Sequence, residues 1–228
     1  MFHSLEVPPA KSSGESGSAT QQAYAALRRM IVVGELAPGE KLKIDTLRKT
    51  LDTGASPVRE ALSLLVSDQL VERLDQRGFR TASASRSNFE EILMLRCHLE
   101  DMALRRSIDA GDQAWEENLV LSHHRMVRQD REDVEAFEER HKAFHMALLS
   151  ACDSPILLKF CNQLYDLNVR YRYLAGRASG YKKRDVSNEH ADILAATIER
   201  NADLAVDRLM SHYRQTGEFL TAQFGSVS

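Results

Sequence analysis

The sequence lacks the features that mark membrane-spanning or exported chains. No run of about 18 apolar residues occurs, so no segment reads as a transmembrane helix. The start of the chain has no basic-then-apolar signal pattern; Pro8-Pro9 and the polar, small-residue stretch Lys11–Ser18 place residues 1–19 in a disordered tail. Cysteine is scarce: Cys97, Cys152 and Cys161 make an odd number with no C-x-x-C pair, so reduced thiols in a cytoplasm are expected. A phosphate-binding glycine loop and a nucleophile–base pairing are missing too, which leaves little room for covalent catalysis. No short internal repeat is present. What remains is ordinary for a globular protein, with 43% hydrophobic and 28% charged residues over 228 positions, enough for one large domain or two smaller ones.

The net charge of −3 is unequally shared. Between Thr20 and Ala84, ten Lys/Arg face eight Asp/Glu, a balance of +2; from Ser85 onward nineteen face twenty-three, a balance of −4, and the tail contributes −1. A slightly basic front part permits contact with phosphates without requiring it.

Periodicity divides the chain near Ala84, at a Ser-rich connector, into units of 20–84 and 85–228. In the first, Thr20 is a plausible cap for a helix from about Gln21 to Val33, with Tyr24, Leu27, Met30 and Ile31 at helical spacing and Gly34 as its stop. A turn at Ala37-Pro38-Gly39-Glu40 precedes a short helix from about Asp45 to Leu51. A third helix has Ser56 as cap, Pro57 at its first position and Val58, Ala61, Leu62, Leu65 and Val66 on one face. Val71–Leu74 and Phe79–Ala82 then read as two strands joined by Gln76-Arg77-Gly78. Three helices and a hairpin describe a winged helix-turn-helix. The second unit reads as all helix: a capping box at Ser87–Glu90 opens a helix that Gly111 closes, and further helices fall at about 113–130, 132–151, 155–173, 187–200 and 202–223. The expected fold is thus mainly α, with a winged helix-turn-helix followed by an antiparallel helical bundle.

In a helix-turn-helix the leading end of the second helix meets base edges in the major groove of double-stranded DNA. Here that end offers Ser56, Pro57 and Arg59; the guanidinium of Arg59 can bond phosphate or the O6/N7 edge of guanine. Lys43, Arg48 and Lys49 add charge nearby, and Arg77 sits at the wing tip. The bland alternative for each basic residue is a solvated surface charge. The segments Pro38-Gly39-Glu40-Lys41-Leu42, Ser56-Pro57-Val58-Arg59-Glu60-Ala61-Leu62, Leu70-Val71 and Gly78-Phe79-Arg80 resemble the winged helix of the GntR family of transcription regulators. Ala55 stands where that family commonly has a DNA-contacting arginine, so the operator sequence cannot be borrowed from relatives.

His141 and His145 lie four apart on one helix, so they share a face; His190 and His212 fall on two later helices. Four imidazoles converging in a bundle would favour a divalent transition metal, zinc or nickel foremost, over magnesium or calcium. They could instead hydrogen-bond an organic anion directly. His3, His98, His123 and His124 have no partners at a persuasive spacing.

Through Arg96-x3-Glu100, Phe144-His145-x2-Leu148, Glu189-His190-x2-Ile193 and His212, the second unit is similar to the FCD domain of the FadR branch of the GntR family. That resemblance implies a homodimer that binds a near-palindromic operator and senses a small organic acid. It implies that His145, His190 and His212 are metal ligands, with His141 in the place of an aspartate. It also implies that Arg96 faces the effector cavity, where a guanidinium can hold a carboxylate. Tyr165, Asn168 and Arg172 are further candidates on one helix. The His-Lys-Ala-Phe-His run at 141–145 is similar to a carbon-starvation-linked subgroup responding to dicarboxylates. The expected function is a ligand-responsive regulator, a repressor of a carbon-metabolism operon, and not an enzyme. A helical metalloenzyme is disfavoured because Lys142 follows His141 where a zinc hydrolase needs glutamate, and Glu138-x2-His141 has no second copy for a di-iron site. The other alternative is a metal-dependent scaffold with a winged-helix interaction module; a scaffold that used only its winged helix for protein contacts would leave the histidines idle.

Overall fold

The computed structural model describes residues 17–75, 77–175 and 186–224. Expectations for the tail up to residue 16, for Gln76 in the wing turn and for the 176–180 loop lie outside the described residues.

Helix α1 (Ala19–Val32) starts two residues before the predicted point. Its cap is Ser18 rather than Thr20: the Ser18 side chain accepts from the Gln21 N–H, and the Gln21 side chain returns the bond to the Ser18 N–H. Gly34, at φ +81°, lets the chain leave the helix through a conformation that a Cβ resists. After α2 (Ile44–Thr50), α3 (Ala55–Ser67) also starts early. Gly54 holds the cap position and makes no side-chain bond, so Ser56 is the second residue of the helix and not its cap. Pro57 remains harmless, because no first-turn N–H has an intrahelical acceptor. Leu27 and Ile31 of α1 and Leu47 of α2 pack with Val58, Ala61, Leu62 and Leu65 of α3, all buried.

The sheet has three strands where the sequence predicts two: β1 (Lys41–Leu42), β2 (Val71–Leu74) and β3 (Gly78–Thr81), antiparallel in the order β1-β3-β2. Leu42 pairs with Phe79, and Val71 with Thr81. The extra strand is held from outside itself. Glu40 donates its N–H to Oγ1 of the fully buried Thr81 at 2.9 Å, and Thr81 donates its N–H to the Glu40 carbonyl at 2.9 Å.

The rest of the chain forms α4 (Arg86–Ala110), α5 (Gln113–Arg128), α6 (Val134–Leu149), α7 (Pro155–Ala175), α8 (Val186–Ile198) and α9 (Ala202–Phe224). Ser85 caps α4, accepting from the Asn88 N–H at 3.2 Å, so the predicted capping box at Ser87 is displaced by two residues. Ser85 has the extended backbone that a cap requires, whereas Ser87 is already helical. Asp112 and Asp133 cap α5 and α6 through the N–H groups of Trp115 and Ala136. Gly111 ends α4 as expected, and a Cβ there would lie 2.2 Å from Trp115 Cε3, so only glycine fits.

Two apolar clusters result. One fills the bundle around Leu104, Leu119, Phe144, Leu148, Ile193 and Leu209. The other begins in the winged helix and continues through Phe89 and Ile92 of α4 into Leu167, Val169 and Tyr171 of α7. Polar contacts follow the same seam: Arg170 donates to the Ala82 carbonyl at 2.6 Å, and Arg28 of α1 pairs with Asp166 of α7. No described helix is long and apolar enough to cross a membrane.

Candidate metal centre and DNA-facing surface

His141 and His145 project from α6, His190 from α8 and His212 from α9, and all four are buried. The fold brings the complete predicted histidine set together. Nε2 of His141 lies 3.1 Å from Nε2 of His190, and Nε2 of His145 lies 3.3 Å from each of them. Metal–nitrogen bonds of about 2.0–2.1 Å at tetrahedral angles require nitrogens about 3.3–3.4 Å apart, so these three match one face of a tetrahedron. Ligating atoms of all four lie within 4.8 Å of one another. Burial, reinforced for His141 by the Arg172 guanidinium, holds His141, His145 and His190 well below the ordinary imidazole range. They are neutral and keep a lone pair to offer. The donor set therefore fits a borderline divalent ion.

Behind the ring of Nε2 atoms lies a layer of oxygens. His141 Nδ1 is 2.5 Å from Tyr165 Oη, His145 Nδ1 is 3.0 Å from Tyr213 Oη, and His212 Nδ1 is 2.7 Å from Glu189 Oε2. Tyr213 in turn donates its hydroxyl to Glu100 Oε2. Burial raises the phenols of Tyr165 and Tyr213 well above their ordinary range, so both keep their protons.

The remaining predicted residues meet on the same cavity. Arg96 is 3% exposed; its Nε donates to Glu100 Oε1 at 2.7 Å and its Nη1 to Asn168 Oδ1 at 3.0 Å. Its guanidinium carbon stands 4.2 Å from the Tyr213 ring centre and 5.0 Å from that of Tyr165. Arg96 Nη2 is buried and has no hydrogen-bond partner among the described residues. Arg172, well inside the protein, donates from Nη2 to Glu138 Oε1 at 2.6 Å and places Nη1 3.1 Å from His141 Nδ1. Arg96, His141, Asn168, Arg172, His212 and Tyr213 line a cavity with Phe89, Leu93, Thr216 and Gly217. About 10 Å³ of it is open to a water-sized sphere, room for roughly one water molecule. A larger, open groove of about 780 Å³ is lined by Gln113, Glu116, Glu117 and His124 together with Val120, Leu121 and Ile198, and none of the four clustered imidazoles lines it.

The sequence did not point to Tyr213, gave Glu189 no role beyond its place in the Glu189-His190-x2-Ile193 segment, and did not show the pairing of Asp166 with Lys142 at 2.6 Å. Position alone offered one signal: Glu189 immediately precedes His190, and Tyr213 immediately follows His212. His123 also comes closer than expected, its ring 5.3 Å from Phe144, which itself packs on His145 and His190.

On the opposite part of the molecule, Lys43, Arg48, Lys49, Ser56, Arg59 and Arg77 are all exposed, and Pro57 is half-buried. The start of α3 faces solvent without a side-chain cap, which leaves first-turn N–H groups for an anionic partner. Arg48 is partly engaged by Asp45 at 3.0 Å. Arg73, overlooked in the sequence, lies 5.5 Å from the Phe79 ring centre on the wing, with Nη2 3.5 Å from Ser63 Oγ of α3.

Residues 19–80 match the bacterial regulatory protein gntR family, and residues 91–215 match the FCD domain. The chain is 34% identical to an uncharacterized HTH-type transcriptional regulator, BphR, of Paraburkholderia xenovorans, over 91% of this chain and 87% of that one. It is 31% identical to the HTH-type transcriptional repressor GlaR of Escherichia coli, over 83% of this chain and 90% of the relative. Among solved structures, E. coli McbR/YncC superposes with a TM-score of 0.79 at 23% identity, covering 91% of this chain and 99% of that one. That likeness concerns the fold. The relatives are regulators of transcription and not enzymes, which removes the metalloenzyme alternative. A winged helix matching one family and a helical domain matching the other, in a single chain, establish that this protein belongs to the GntR family of DNA-binding transcription regulators, with an FCD domain.

Proposed function

We propose that this regulator is a cytoplasmic homodimeric repressor of a carbon-metabolism operon whose grip on DNA is set by a metal-assisted organic-acid site. Residues 20–84 form the DNA-reading unit and 85–228 the sensing and dimerising unit. Lys43, Arg48, Lys49, Ser56, Pro57, Arg59 and Arg77 contact a near-palindromic operator, with Arg59 reading a base edge and the lysines meeting phosphate. His141, His145, His190 and His212 hold zinc or nickel, and the bound metal with Arg96 supplies the positive charge that a carboxylate seeks. A dicarboxylate suits this pairing: one end meets the metal, and the other meets a guanidinium, with Arg172, Asn168 and Tyr165 beside it.

One observation carries the sensing half of this reading: four buried imidazoles converge beside a buried arginine whose Nη2 lacks a hydrogen-bond partner among the described residues. The cavity is nearly filled, so an acid of several heavy atoms enters only with side-chain movement. That requirement is what would couple occupancy to shape. Exposed Met94 and Met102 on α4 and Ile156 and Phe160 on α7 are apolar surface that supports a second copy as partner.

The test has two arms. Elemental analysis of protein purified without a metal-affinity tag should find about one zinc or nickel per chain, and His145→Ala should abolish it. A gel shift on the DNA upstream of the protein's own coding region should give a retarded band that a screen of organic acids weakens. No metal in the wild type, or an unaltered band with every acid, would remove the corresponding half.

A further inference from the structure

A centre of four neutral imidazoles leaves the full charge of a divalent ion uncompensated, and the place of the usual aspartate is taken by His141. Two carboxylates nonetheless stand one step behind the imidazoles. Glu189 Oε2 is 2.7 Å from His212 Nδ1. Glu100 accepts from the hydroxyl of Tyr213, whose oxygen lies 3.0 Å from His145 Nδ1. We infer that Glu189 and the Glu100–Tyr213 pair are positioning residues that fix His212 and His145 for coordination through Nε2 and return the negative charge missing from the inner ligand set.

For His212 and His145 the proton positions balance. For Nε2 to present a lone pair, Nδ1 must carry the hydrogen and donate it outward. His212 donates to Glu189. His145 donates to the Tyr213 oxygen, which passes its own hydrogen to Glu100. His141 belongs to neither relay: its Nδ1 faces Tyr165 Oη at 2.5 Å and also Arg172 Nη1 at 3.1 Å, and a guanidinium only donates. A carboxylate behind an imidazole makes the ring a stronger donor to a metal, and loss of such a partner typically weakens metal binding by about 10–100-fold. The two relays differ in reach. Glu189 acts directly and is partly exposed, at 22% of its side chain. Glu100 is almost wholly enclosed, at 2%, and shares its charge with Arg96, so its effect on His145 through a phenol is the smaller of the two.

This inference rests on the metal reading above, and its test separates the two. Zinc affinity is measured on the full chain, stripped and reloaded, by competition with a chromophoric chelator, beside the melting temperature of the zinc-free protein. Glu189→Gln keeps the hydrogen-bond acceptor and removes only the charge; affinity should fall about 10–100-fold while the zinc-free melting temperature stays near that of the wild type. Tyr213→Phe keeps the ring under Arg96 and cuts the relay, and should give a smaller fall. Cobalt-loaded Glu189→Gln should also show a changed d–d absorption spectrum. Wild type that binds zinc, with both single variants within twofold of it, overturns the outer-carboxylate inference alone. Wild type that takes up no zinc overturns it together with the metal reading.

Discussion

At the scale of single residues, the most exacting arrangement is the pair of Arg96 and Glu100. The two side chains are 4% and 2% exposed and joined at 2.7 Å, so each charge depends on the other for solvation. Glu100→Ala would strand the guanidinium in the interior and should destabilise the fold by about 3–5 kcal/mol, measured by urea unfolding of the zinc-free protein. A loss below about 1 kcal/mol would mean that Arg96 turns to another acceptor. Much of this layer was legible in advance. Spacing put Arg96 over Glu100 and His141 under His145, because i,i+4 neighbours share a helix face. The partnership of Tyr213 with Glu100 was hidden, since it joins α9 to α4 across 113 residues and depends on how the helices are rotated in the bundle.

At the scale of elements, α3 carries the testable claim. Its exposed leading end carries Arg59, which the proposed function assigns to a base edge, whereas Lys49 stands near the end of α2. Arg59→Ala should cost about 1–3 kcal/mol of operator binding and relax preference at one base position; Lys49→Ala should weaken all sequences alike and lower the salt slope by about one. Gel shifts over a salt series, with specific and scrambled DNA, distinguish them. Equal losses on both DNAs for Arg59→Ala would demote it to a phosphate contact. Helix identity was readable from apolar periodicity throughout, but the caps were misplaced where several serines or threonines competed. Ser18 and Ser85 won over Thr20 and Ser87 through backbone conformation, which composition does not encode. Strand β1 escaped because two residues carry no period; its existence depends on Thr81, forty residues away.

At the scale of the whole molecule, one carboxylate joins the neighbourhood of the histidine-lined cavity to the winged helix. Asp166 binds Lys142 at 2.6 Å and also pairs with Arg28 of α1. Lys142 directly follows the imidazole His141, and Asp166 directly follows Tyr165. On the proposed reading, movement of His141 or Tyr165 would reach the head through Lys142, Asp166 and Arg28. Asp166→Asn should leave zinc content unchanged yet shrink the ratio of operator affinities measured with and without zinc toward one. A ratio equal to the wild type's would show that coupling runs elsewhere, Arg29 to Glu135 at 2.7 Å being the next seam contact.

The apolar cluster that passes from α1 and α3 into α4 and α7 has one more consequence. Cutting the chain at the serine-rich connector would not free two self-sufficient pieces: each would keep a raw, greasy scar where Tyr171 and Phe89 had met the head. The severed reader should be insoluble or clump. By the same token, the reader is packed against the bundle and not dangled on a tether, so on the proposed reading a reshaped bundle would turn the head with it, as a handle turns a key.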